Sequence, residues 1–88
     1  MPMPNNVILR VMELTETFRP LADRPLIGTV TISAPPSNSG PVFLRAGPGE
    51  EAYLINGEHH LMHRIDLFSL AARGTPGDVL TIIGGTWN

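Results

Sequence analysis

Apolar residues in this chain recur at every second position over short stretches, and chain breakers separate the stretches. Residues 7–14 read VILRVMEL, which sets Val7, Leu9 and Val11 on one side of an extended strand and Ile8, Arg10 and Met12 on the other. Both sides are partly apolar, and the same run also tolerates a helix. Residues 26–34, LIGTVTISA, alternate Ile27, Thr29, Thr31 and Ser33 with Leu26, Val30 and Ile32, the period of a half-buried strand with one polar face. Gly28 inside that run marks a bulge or a close backbone approach. Further strands are expected over 41–46 (PVFLRA), 52–56 (AYLIN) and 79–85 (VLTIIGG), with one or two more inside 59–74. A turn at Ile65-Asp66-Leu67 would divide that last segment, and a helix over 61–72 is the competing reading. Residues 15–25 read as an irregular connection whose X-Pro steps favour extended backbone.

The breakers fix the class. Nine glycines and nine prolines fall among 88 residues. Turns are expected over 35–40 (PPSNSG), 47–51 (GPGEE), at Asn56-Gly57, which calls for positive φ, and over 75–78 (TPGD). Turn signals every eight to twelve residues between β-branched runs predict an all-β chain, a small antiparallel sandwich or barrel-like domain with short hairpins. Residues 26–34 and 41–46 are expected to pair as one such hairpin. The domain spans 1–88, with 1–6 (MPMPNN) as an extended N-terminal arm. Phe43, Tyr53 and Phe68 fall on the strand segments and are expected in the core.

Size and charge narrow the function classes. A chain this short buries only about 60–65% of the surface its unfolded form exposes, and gains stability from a metal, a disulfide or association. It has no cysteine, which removes disulfides and thiolate zinc sites. Only 16% of residues are charged, and the formal net charge is −2. Charge depletion suits a surface that is covered in use. Nucleic acid calls for clustered basic residues, whereas Arg10, Arg19, Arg24, Arg45, Arg64 and Arg73 are scattered and lysine is absent. The first residues lack a signal peptide's basic and apolar regions, and no apolar run reaches bilayer length. A soluble protein without a membrane partner is expected.

Candidate chemistry is sparse. His59, His60 and His63 lie together beside Glu58 in NGEHHLMH. On a helix, His59 and His63 would converge. On a strand they share a face but stand about 13 Å apart at 3.3 Å per residue, too far for one zinc ion with bonds of about 2 Å. A polar loop or hairpin tip after Asn56-Gly57 is the plainer expectation. A histidine from each of three subunits around one ion, and a pH-sensitive contact, are further options. GPGE lacks the Lys-Ser/Thr of a phosphate loop. Ser33, Ser37, Ser39 and Ser69 sit in no nucleophile elbow, and Glu50, Glu51 and Glu58 read as solvated turn charges. No catalytic residue, cofactor or metal within one chain is expected.

The order ISAPPSNSGPVFL, GPGEEAYLI and IDLFSLAARGTPGDVLTIIGG resembles a broad class of small virion proteins of tailed bacteriophages. The matching positions are Ala34, Pro36, Asn38 and Gly40, then Pro48-Gly49-Glu50, Asp66-Leu67 and Gly77-Asp78, within residues 30–85. The segment EHHLMHR departs from that pattern. The resemblance implies a structural protein of the virion, first a capsid decoration (cement) protein. It would bind the major capsid protein as a homo-oligomer, a trimer favoured, at the capsid surface after assembly in the host cytoplasm. A tail, neck, baseplate or fibre-attachment component is the alternative in the same setting. A free β-sandwich binding module is the alternative of another class, and a small metal-dependent enzyme built on the histidines ranks last. Val7, Ile8, Leu9, Val11, Met12 and Trp87 are the expected contact residues: an exposed apolar strand is a pairing hazard in a free monomer, and tryptophan is enriched among interface anchors, with a cap on the core as the equal alternative for Trp87.

Overall fold

A computed structural model describes residues 6–86. Eight strands follow one another: β1 (Asn6–Glu13), β2 (Arg19–Pro20), β3 (Ile27–Ser33), β4 (Val42–Gly47), β5 (Glu50–Leu54), β6 (His59–Asp66), β7 (Ala71–Arg73) and β8 (Val79–Thr86). They form two four-stranded antiparallel sheets, ordered β1-β8-β3-β6 and β2-β7-β4-β5. The sheets pack face to face as a sandwich, and neither closes into a barrel. No helix forms over 61–72, where β6, a turn at Leu67–Phe68 and β7 stand instead.

Alternation decides which side chains enter the core. β3 buries Val30 and Ile32 and turns Thr29, Thr31 and Ser33 outward. β8 buries Leu80 and Ile82, β4 buries Val42 and Leu44, and β1 contributes Ile8. Leu14, Leu21, Leu67 and Leu70, on the connections, close the ends of the same cluster. A side chain of this kind, fully buried, contributes about 1.5–3 kcal/mol of transfer free energy.

Of the seven connections, only β4–β5 stays within a sheet. The hairpin expected between residues 26–34 and 41–46 does not form. β3 lies in the first sheet and β4 in the second, so residues 34–41 cross between sheets. Asn38 explains how that crossing is held. Its side chain donates to the Val79 carbonyl (2.9 Å) and accepts the Val79 N–H (3.0 Å), standing in for a strand neighbour at the start of β8. Asp78, one residue earlier, accepts N–H groups of Ser39 (2.8 Å) and Gly40 (3.1 Å). Asn56, before the positive-φ Gly57, donates to the Asn38 carbonyl. Three separate turns are thereby fastened at one end of the sandwich.

Aromatic residues are absent from the buried cluster of the described residues, contrary to expectation. Val42 and Leu44 point inward, so Phe43 between them must point out, opposite Tyr53 of β5. Tyr53 is 61% exposed and Phe68, on the turn after β6, 46%. β2, a two-residue strand, forms inside the segment read as irregular, because the extended backbone at Arg19–Pro20 lies against Ala71–Ala72 of β7.

Candidate interaction surface

The first sheet keeps an apolar outer face. Val7, Leu9 and Val11 are 70–73% exposed. Strand register sets Leu9 beside Ile83, Ile83 beside Thr31, and Thr31 beside Leu61, one row across all four strands. Ile83 and Leu61 are each about half exposed. The rows on either side hold Val7, Gly85 and Thr29, and Val11, Thr81, Ser33 and His59. None of the residues of these rows on β1, β8 and β3 is charged. Five side chains exposed to this degree amount to roughly 500 Å² of apolar surface, within the range of the largest patch on a monomer, a patch that is often functional.

β1 adds a second property. It is an edge strand, so alternate N–H and C=O groups along its eight residues point away from β8. Not all the expected contact residues share this surface: Ile8 is a core residue and Met12 packs against the core. Trp87 and residues 1–5 of the expected arm lie outside the described residues.

Beside this edge, between β1 and the segment from Arg19 to Asp23, lies a cleft of about 580 Å³. Arg10 reaches into it and donates to the Leu21 carbonyl (3.2 Å). At the opposite edge of the sandwich a smaller cleft of about 270 Å³ is lined by Met62, Ile65, Leu70 and Ala46.

The histidines sit on β6, an edge strand rather than a loop or hairpin tip. His59 pairs with Ser33 and His60 with Ile32, and all three imidazoles are exposed. A register shift opposite Thr29 forms a bulge at which Arg64 takes φ 51° and donates its N–H to the Thr29 hydroxyl (3.1 Å). His59 and His63 are therefore strung along a strand. Among the described residues no three His, Asp or Glu side chains group so as to hold a metal ion.

The second sheet carries a different outer face, which alternation could have located. Arg73 stands over the rings of Phe43 (4.3 Å) and Phe18 (5.2 Å), and Arg45 over Phe18 (5.4 Å). Tyr53 lies 6.2 Å from Phe43, ring centre to ring centre. The Arg45–Glu51 ion pair is long, 3.9 Å, and half exposed, so it contributes little.

Two aspartates have depressed pKa values, both for structural reasons. The Leu26 N–H, then that of Phe68, holds Asp66 below the usual 3.8. The Ser39 N–H, with help from Gly40, does the same for Asp78 against the opposing effect of burial. Serine hydroxyls add to this, Ser69 donating to Asp66 (3.4 Å) and Ser39 lying at Asp78, but both carboxylates are occupied first by turn amides. The turn residues Asn38, Gly40, Asp66 and Asp78 are thus the fastenings of the sandwich. No family model, no curated protein and no solved structure matches this chain.

Proposed function

We propose that this protein is a structural component of a tailed-bacteriophage virion, first a capsid decoration protein, which binds its neighbours through the β1 edge and the apolar face beside it. The observation that carries the reading is the row of Val7, Leu9 and Val11, largely exposed on a strand edge without a neighbouring strand among the described residues. A protein that remained a monomer would aggregate through such an edge; one that is built into an assembly uses it. The order of turn motifs supplies the virion setting. The small aliphatic core of leucine, isoleucine, valine and alanine suits a chain that gains stability from what it binds, and repeated sites on a particle add avidity.

Two measurements test this together. Mass spectrometry of purified virions from the encoding genome is expected to find the chain in fixed ratio to the major capsid protein, and particle imaging to place it on the head. Its absence from virions would overturn the reading. A location on the tail would leave the structural role and move the site.

A further inference from the structure

The β1 edge and the cleft beside it lie where they would read one and the same incoming strand. This inference rests on the edge docking proposed above and deepens it. A strand added to β1 places alternate side chains on opposite faces. One set would continue the outer row beside Val7, Leu9 and Val11, which is apolar. The other set would hang over the cleft lined by Arg10, Met12, Arg19, Leu21, Ala22 and Asp23. There the two guanidiniums face one carboxylate, and neither arginine has an ion-pair partner among the described residues. Arg10 spends a donor on the Leu21 carbonyl and keeps others free, since a guanidinium has five.

A second copy of β1 fits this place badly. Antiparallel pairing about a two-fold axis keeps each face on its own side, so two Arg10 side chains would meet over the joined clefts, each with an Arg19 near it. An inward-facing charge of this kind is a device that blocks pairing with self. A phosphate chain fits no better, because the outer row offers it only Val7, Leu9 and Val11. We propose that the β1 edge takes an extended segment of a protein partner in which apolar residues alternate with aspartate or glutamate. The apolar set completes the outer face, and the carboxylates enter the cleft against Arg10 and Arg19.

The test uses the full ¹⁵N-labelled chain and two acetylated, amidated peptides, Thr-Val-Glu-Val-Asp-Val-Thr and Thr-Val-Lys-Val-Lys-Val-Thr. The acidic peptide is expected to shift the amide signals of residues 7–13 and to bind about fivefold tighter than the basic one, or more, as two partly exposed charge pairs allow. Arg10→Gln with Arg19→Gln is expected to bring the two affinities together. Arg19→Gln alone, which breaks no hydrogen bond among the described residues, keeps the test readable if loss of the Leu21 contact unfolds the double variant. Equal binding of both peptides at β1 would overturn the acid recognition and leave edge docking standing. Shifts confined to other strands would overturn both. Concentration-dependent exchange protection of the β1 amides without peptide would assign the edge to a second copy and overturn the proposal.

Discussion

Asn38 shows how much one side chain can hold. It is nearly buried, it satisfies both backbone groups of Val79, and its own carbonyl accepts from Asn56. Truncation to alanine leaves the part-buried N–H and C=O of Val79 without these partners, at a cost of about 1–3 kcal/mol. Asn38→Ala is expected to lower the unfolding free energy by about 2 kcal/mol, measured by urea denaturation; a change near zero would show that water replaces the side chain. The two aspartates make a second prediction. Their folded pKa values lie below 3.8, so the folded state favours the charged carboxylates. That contribution is complete above the unfolded value and disappears as pH falls through the folded ones. The melting temperature is therefore expected to drop between about pH 5 and pH 2, and the drop to be shallower in the Asp66→Asn, Asp78→Asn variant. Equal slopes in the two proteins would remove these residues from the acid response.

At the scale of the element, β8 is the strand that tolerates least. It lies between β1 and β3, and Gly84 faces Ile8 on one side and Val30 on the other. A Cβ there would stand 2.1 Å from the Thr29 carbonyl oxygen and 2.6 Å from the Val30 Cα. Both are backbone atoms of a paired strand and cannot swing away, so Gly84→Ala is expected to cost about 3 kcal/mol or to prevent folding. Gly47→Ala meets nothing within 4 Å and has no positive φ, and is expected to be neutral; thermal unfolding of the pair checks both. β1, β3, β4, β5 and β8 were legible from alternation and turn residues, and β6 and β7 only as one or two strands against a competing helix, whereas the partners of the strands were not. The Pro35–Gly40 turn looks the same whether it returns to the same sheet or crosses to the other. What decides is Asn38 reaching Val79, 41 residues away, a contact with no local signature. The aromatics misled for a related reason. Hydrophobicity put Phe43 in the core, but the stricter signal was its place between Val42 and Leu44, which assigns it to the opposite face.

For the whole molecule, the same logic separates what folds the chain from what the chain does. The fastenings of the sandwich were visible in sequence as turn motifs. The surface was visible only in part: the β1 alternation named Val7, Leu9 and Val11, but their row with Ile83 and Leu61 exists only once β8, β3 and β6 are in register. That row contributes nothing to the core and should be separable from it. Replacing Val7, Leu9 and Val11 together by threonine keeps strand propensity and removes most of the exposed apolar area. The isolated variant is expected to unfold within about 1 kcal/mol of the wild type, because surface changes away from buried contacts are small. Its assembly is expected to fail. A stable interface buries about 800 Å² on each partner, and roughly 500 Å² of apolar patch with one strand edge is most of that. Sedimentation of the variant with particles lacking the native chain reads the effect directly. Full occupancy by a variant that folds normally would show that the apolar row is not the contact, and that the assembly surface lies elsewhere, first on the Arg73–Phe43–Tyr53 face of the second sheet.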